Sequence, residues 1–542
     1  MNRRIYMRGY CTVHEEFLYP DQALGALPEE ISLHMARNGR EAVRLLLDAE
    51  GRERISISVQ NGEGFELEGF QMIDVGVNYN EVETEEQNGM FVITEKEYEK
   101  PAYCTRKAPF RVYEALKPIQ GELEAKDGVF ALYLNIAPKP DTSAGTYELT
   151  LSAGDCVLRL KLRVYQVEIP EESLSVTNWF NLDNIALFHG LEMGTEEYYQ
   201  MVRRYAKAMR RTRQTHFFIS FDPRKALVDR EKLRFDFSYL KPIIEIFFSE
   251  GFRTMEFGNF GEKRESLFTD EIKCAADPQV PLSSDEGYYL TLAMVQELAS
   301  FLGENGWRDK TIFHICDEPD VHVTGPEVLE KRKQQYLRVV SILRRYFPGC
   351  RTIEAVKTTH FKGGVDIWVP LTANYEEFRE EYDRMRDLGD EVWCYVCCVP
   401  TGHYLNRFLD IELVKSRLLF WGCSSYRLSG YLHWGFNYWP QENYDPFNES
   451  NTPNTAFNGI YPAGDAYIVY PGPDGPWLGQ RLEAQRRGAE DYELLERLRV
   501  LDQAAYEELL GRAFQSNRDY EGNPKAFEEL RRELLALLEQ KS

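Results

Sequence analysis

The first third of the chain alternates apolar and polar residues with period two. ISLHMARN, EAVRLLLDA and RISISVQ, then FALYLNIAP, GTYELTLSA and CVLRLKLRVYQVEIP, are separated by Asn-Gly, Glu-Gly-Arg and Gly-Glu-Gly turns. That period sends successive side chains to opposite faces of a strand. Several short strands with almost no helical signal predict a β-sandwich over residues 1–172. The polar, Pro-containing EIPEESL predicts the boundary.

From residue 173 the pattern changes. SVTNWFNL, THFFIS, TMEFGNFG, TIFHICDEP, RTIEAVKT, VDIWVPL, EVWCYVCC and GYLHWGFNYW read as strands. Amphipathic stretches such as TEEYYQMVRRYAKAMRRT, with Thr195 as N-cap, read as the helices between them. The link between RTIEAVKT and VDIWVPL is short, so one helix is expected to be missing or degenerate. Strands interleaved with helices eight times over predict a (β/α)8 TIM-type barrel across 173–500. Charged amphipathic helices over 501–542 predict a C-terminal extension packed on the barrel exterior.

Composition narrows the function classes. The chain has 542 residues and carries 87 acidic against 64 basic residues, a net charge of −23. Such a field repels phosphate backbones and anionic membrane surfaces, which excludes nucleic acid as a partner. No apolar run is long enough to span a membrane. No apolar stretch follows the basic N-terminus as a secretory leader requires, and ten cysteines are too few for a disulfide scaffold. A reduced cytoplasmic protein is expected, or a secreted one whose leader has been trimmed. Cys394, Cys397 and Cys398 have part of a zinc spacing without its second half, and read as buried strand thiols. HExxH, P-loop and Gly-x-Ser-x-Gly patterns are absent. No metal or organic cofactor is expected.

A barrel places chemistry at the C-terminal ends of its strands. There the sequence offers Asn181, Asn259, Asp317 and Glu318, Tyr375, Trp393 and Tyr395, and Trp434, Asn437 and Trp439. His360 and His403 read as surface or structural histidines. Polar groups interleaved with aromatic rings suit a sugar, whose C–H face stacks on a ring while polar groups bond its hydroxyls. Trp393 and Tyr395, two apart, are expected on one face. In HICDEPD two acids precede Pro319, which biases Glu318 toward an extended backbone. The plainer reading of these acids is the entrance of the next helix. At a barrel mouth their charges would interact and their pKa values separate. Adjacent carboxylates do not easily straddle a glycosidic bond as the usual retaining or inverting pairs do. They suit substrate-assisted hydrolysis, in which the sugar's 2-acetamido oxygen attacks C1. Glu318 would then be the general acid/base and Asp317 the partner of the acetamido group.

At these residues the chain resembles glycoside hydrolase family 123 and its relatives, β-N-acetylgalactosaminidases carrying a domain of unknown function numbered 4091. Asp-Glu-Pro at a strand end is similar to the family's motif. So are GYLHWGFNYW at 430–439, GDAYIVYPGPDGPWLGQRLEAQRRGAEDYELLERL at 464–498, and LYLNIAPKPDTSAGTYELTL in the front domain. Between 60 and 125 the expected strand motifs are blurred. The resemblance implies a front sandwich, a catalytic barrel, no cofactor, and retaining hydrolysis through the acetamido group. It carries the acetamido role to Asp317 and the acid/base role to Glu318. The expected substrate is a glycan or glycolipid ending in an amino sugar, cleaved exo-fashion. N-acetylgalactosamine against N-acetylglucosamine stays open, as does a binding-only protein. The sandwich is expected to be structural, packed against the barrel.

Overall fold

The computed structural model describes residues 7–541 apart from 87, 441, 442 and 456. The front part is two sheets. An antiparallel sheet runs in the order Gly9–Thr12, Glu41–Asp48, Val129–Pro138, Phe65–Val77, Phe110–Pro118, Gly475–Gly479, Val469–Gly472. A smaller sheet runs Glu30–Ala36, Cys156–Tyr165, Gly145–Ala153, Ile57–Gln60, its first pair parallel. In Cys156–Tyr165 the even positions Leu158, Leu160, Leu162 and Val164 are buried, while Val157, Arg159 and Lys161 face water. The inward set meets Val43, Leu45, Leu47, Leu132 and Leu134 from the other sheet. Each such leucine stabilises the pair of sheets by about 1.5–3 kcal/mol. The last two strands of the large sheet come from residues 469–479, late in the chain.

Glu41–Asp48 is buried almost throughout because its sheet is covered on both faces. Its second face meets the helix Gln480–Leu501 through charge. Glu15 receives bonds from Arg44, from Arg487 at 2.6 and 2.7 Å and from Arg417 at 3.4 Å, with every partner buried. Asp491 joins Arg417 at 2.7 Å and Arg531 of the last helix, Pro524–Lys541, at 3.2 Å. That last helix packs against Gln480–Leu501 and also against the small front sheet, where Arg163 reaches Glu539 at 2.7 Å.

Parallel strands form the second part. Six pair in the order His216–Ile219, Thr254–Phe257, Thr311–His314, Thr352–Ala355, Ile367–Val369, Glu391–Val392. A further group pairs as Ser175–Asn178, Gly430–His433, Cys394–Tyr395. Cys394–Tyr395 continues Glu391–Val392 past Trp393, whose N–H bonds Trp368 O at 2.8 Å. Thr215 N–H bonds Val176 O at 3.0 Å, joining the starts of the first two strands. Helices alternate with these strands. Thr195 caps Glu196–Arg211, its hydroxyl accepting the Tyr198 N–H at 3.3 Å. Between Thr352–Ala355 and Ile367–Val369 there is only the short turn Thr359–Phe361, where the sequence leaves no room for a helix. Among the described residues, no helix is long and apolar enough to cross a membrane.

Between the two parts, the described residues of the segment 78–109 leave the large sheet and reach the C-terminal ends of the parallel strands. Thr84 and Thr401 exchange bonds of 2.6 and 2.9 Å, and Asp410 takes the Glu81 N–H at 2.9 Å and the Asn80 amide at 3.1 Å. Phe91, fully buried, lies nearly parallel to the Tyr461 ring at 6.0 Å.

Candidate active site

Asp317 and Glu318 follow the strand Thr311–His314 and stand in a cavity of about 250 Å³. Trp179, Ala355, Tyr395, Cys397, Cys398, Leu432, Trp434 and Tyr461 complete its wall. Larger clefts exist, including one of about 470 Å³ between the large front sheet and the turn at 473–477. That cleft lies away from the ends of the parallel strands, so size does not select the site.

The backbone at Glu318 departs from the expectation drawn from Pro319. It is left-handed, with φ at 50°, not extended. Residues before proline avoid helical conformations, so the surroundings must hold this one. Lys263 Nζ bonds the Glu318 carbonyl at 2.7 Å, and Asp320 takes the backbone N–H groups of Lys357 and Thr358 at 2.8 Å each. The turn lets two neighbouring acids share one cavity, as a straight strand would not. Tyr395 donates its O–H to Glu318 Oε1 at 2.6 Å.

Behind Asp317 lies a charged group with no access to water. His314 is fully buried, its Nε2 3.0 Å from Glu354 Oε1 and 3.7 Å from Asp317 Oδ1. Gly258 permits this packing, since a Cβ there would come within 2.1 Å of His314 O. Burial opposes charge on the imidazole, but Glu354 and then Asp317 outweigh it and push His314 up to about 9. Burial likewise pushes Glu354 up, to about 7, against the pull of His314. The two shifts favour opposite partners. Glu354 Oε2 accepts the N–H groups of Ile315 and Cys316 at 3.1 and 3.2 Å, donors that suit an ionised carboxylate, so the pair is imidazolium and carboxylate. Glu256, also buried and pushed up by burial, accepts the Trp179 indole N–H at 3.0 Å and so fixes that ring in the wall.

The other residues singled out from sequence divide sharply. Tyr395 and Trp434 line the cavity. The Asn437 side-chain amide bonds the Asn181 backbone twice, accepting its N–H at 2.7 Å and donating to its carbonyl at 3.0 Å, while the Asn181 side chain caps Leu182–Phe188. They tie the first strand end to the last and do not line the cavity. Asn259 follows the third strand and does not line it either. Tyr375 is buried under its helix, its hydroxyl on Asp383 at 2.8 Å. Trp439 packs on Phe188 at 4.7 Å. Trp393 faces the opposite end of the strands from Tyr395. It bonds Glu391 at 2.9 Å and fills the space over Gly430, where a Cβ would meet the ring at 2.2 Å. Period two puts Trp393 and Tyr395 on one face but not at one depth. His360 and His403 lie outside the cavity. Cys397 and Cys398 are buried as expected, but past the strand and in the cavity wall.

Sequence reasoning missed Tyr461, Glu354 and Asp465. Tyr461 sits in a loop without periodicity. Glu354 carried a usable signal, a lone acid inside the apolar RTIEAVKT. Asp465 is fully buried, and burial pushes it up to about 7; its Oδ1 is 3.5 Å from His433 Nε2. Among the described residues, no group of three or more His, Cys, Asp or Glu is placed to hold a metal ion.

Paired acids in an aromatic-walled cavity at the ends of parallel strands define a carbohydrate-processing site. The description "Glycoside hydrolase 123, catalytic domain" matches residues 179–498. The chain belongs to glycoside hydrolase family 123 and is a glycoside hydrolase. Its structure is similar to that of a family 123 glycoside hydrolase from Clostridium perfringens, whose structural study concerns glycolipid glycan hydrolysis. The TM-score is 0.68 and the identity 12%, over 99% of this chain and 97% of that one. A family 39 glycoside hydrolase from Bacteroides cellulosilyticus aligns over 80% of each chain at 12% identity, with a TM-score of 0.37. No curated protein matches the chain.

Proposed function

We propose that the chain is an exo-acting β-N-acetylgalactosaminidase that works with retention through the substrate's own 2-acetamido group. The observation that carries this reading is the membership of the cavity wall. Among the described residues lining it, Asp317 and Glu318 are the only carboxylates. Among the described residues of that wall, no third acid offers the separate nucleophile or base that the two usual mechanisms need. The two parallel sheets, joined by the shared strand 391–395 and the Thr215–Val176 bond, support a closed (β/α)8 barrel with this cavity at its mouth. The cavity's volume of about 250 Å³ is below the roughly 300–1,000 Å³ of sites for larger ligands. It suits one terminal sugar ring.

In this mechanism Glu318 protonates the leaving oxygen as the acetamido oxygen closes on C1. Asp317 accepts the amide N–H and steadies the positive charge of the oxazolinium-type ring. The His314 imidazolium, 3.7 Å behind Asp317, directs that carboxylate. Glu318 then takes a proton from the water that reopens the ring at C1, and Tyr395 orients it in both steps. Trp179, Trp434 and Tyr461 offer ring faces to the sugar and exclude water. Glycans of glycolipids, the material of the Clostridium perfringens study, are the substrate class to test.

The assay compares p-nitrophenyl 2-acetamido-β-galactoside, its gluco epimer and the 2-hydroxy galactoside, with Asp317→Asn and Glu318→Gln alongside. Release from the acetamido galactoside alone, lost by at least 100-fold in both variants as expected for removing a charge that acts in the transition state (about 10²–10³), supports the reading. Preference for the gluco epimer moves the specificity and keeps the mechanism. Equal release from the 2-hydroxy sugar refutes substrate assistance.

A further inference from the structure

Cys397 and Cys398 stand together in the wall of the cavity that holds Asp317 and Glu318, their sulfurs 3.9 Å apart. Neighbouring side chains ordinarily diverge. Here the chain turns just past Cys394–Tyr395, with Cys397 N–H on Val399 O at 2.9 Å and the Asn406 amide on Cys397 O at 3.0 Å. Both thiols are thereby held side by side at one surface. A second close pair, Cys394 and Cys423 at 3.7 Å, lies between a strand and the helix Val414–Ser425 and lines no cavity around the acids. Two thiols held at such a separation bind a soft acceptor as a chelate, since sulfur ligands select soft centres.

We propose that Cys397 and Cys398 form a dithiol site for trivalent organoarsenicals, and that occupying it fills the sugar cavity. The second half of that statement rests on the function proposed above. With an arsenical R–As=O, each sulfur forms a bond to arsenic and the arsenic–oxygen bond breaks. The two S–H protons leave on that oxygen as one water, and arsenic stays trivalent, so no electrons are transferred. Burial pushes both thiols up, Cys398 well above its ordinary range. They are therefore protonated near neutral pH. Alkylation, which needs the thiolate, is disfavoured, whereas the arsenical carries away both protons on its own oxygen.

The test is the intact mass of the native, full-length protein after one equivalent of phenylarsine oxide. Wild type and Cys394→Ala are expected to gain one phenylarsenic group per chain, stable to a monothiol and removed by 1,2-ethanedithiol. Cys397→Ala and Cys398→Ala, and the milder Cys397→Ser should alanine impair folding, are expected to lose the adduct. An adduct that persists when both residues are replaced overturns the site, as does failure of the folded wild type to react. Hydrolysis of the acetamido galactoside should fall by at least tenfold in the adduct and return with dithiol. Undiminished hydrolysis by the adduct overturns the claim that it fills the sugar cavity. An adduct on a protein that cleaves no acetamido sugar keeps the dithiol and refutes the proposed function instead.

Discussion

Replacing His314 by Gln tests whether a buried imidazolium sets up Asp317, the proposed partner of the acetamido group. The charge lies 3.7 Å from Asp317 Oδ1. Coulomb's law at that separation gives about 4.5 kcal/mol for an effective dielectric near 20 and about 1.1 kcal/mol in bulk water. Asp317 is 47% exposed, so the interaction falls between these limits. About 2–3 kcal/mol corresponds to a roughly 30- to 150-fold loss of kcat. The pH profile supplies the readout that lost packing would not move. His314 is raised from the ordinary 6.5 to about 9. Its ion-pair contribution is therefore complete below about 6.5 and disappears as pH rises through about 9. The wild-type kcat for the acetamido galactoside should decline near pH 9, and the variant should lack that limb. Since glutamine leaves Glu354 buried without a cation, His314→Gln combined with Glu354→Gln gives a second variant free of the orphaned charge. A folded double variant with wild-type kcat, or an unchanged alkaline limb in either variant, refutes the reasoning.

Phe91→Ala removes the ring that braces Tyr461. The cost of about 3–5 kcal/mol for such a truncation should appear as detachment of residues 78–109 from the mouth. KM is expected to rise at least tenfold with little change in melting temperature; a global melting shift at constant KM contradicts this. Glu15 is pushed up by burial, but Arg487 and Arg44 outweigh that and hold it well below the usual carboxylate range. Its stabilisation is therefore present above about pH 4.3, the unfolded value, and is lost as pH falls below it. Glu15→Gln should cost about 3–5 kcal/mol in urea unfolding at neutral pH, with a shallower acid dependence than wild type; an unchanged urea midpoint counts against a structural role for the cluster.

The strands legible in the sequence were those whose two faces meet different solvents. CVLRLKLRVY alternates cleanly because one face packs on the opposite sheet and the other meets water. Phe65–Val77 was not legible. Its first half is partly exposed, its second half is buried on both faces, and a register shift at Ile73/Asp74 breaks the period. The blurred region also contains the long excursion of residues 78–109, which has no period because it packs over the mouth of the proposed barrel and belongs to no sheet. At the site, HICDEPD announced Asp317 and Glu318, since two acids ending an apolar strand need a reason to be there. The pocket aromatics were harder. Trp393, Tyr375 and Trp439 satisfy the same composition rule as Trp434, yet each fills space elsewhere, because a ring near a strand end is placed by depth as well as by face. Tyr461 arrives from a loop and had no pattern to betray it.

The hairpin at 469–479 carries a consequence for synthesis. The large front sheet begins within the first dozen described residues, yet its last two strands are made only after the strand at 430–433 has left the ribosome. Until then Phe110–Pro118 is an open edge, its outer backbone groups ready to pair with any extended segment nearby. The front half therefore cannot finish folding before the enzyme's core has been translated, and contacts across more than 350 residues, as between Leu116 and Leu478, must close last. A fragment ending at residue 172 would keep that edge permanently open. Expressed alone, such a fragment is a candidate for self-association, and the natural unit of folding for this protein is the whole chain.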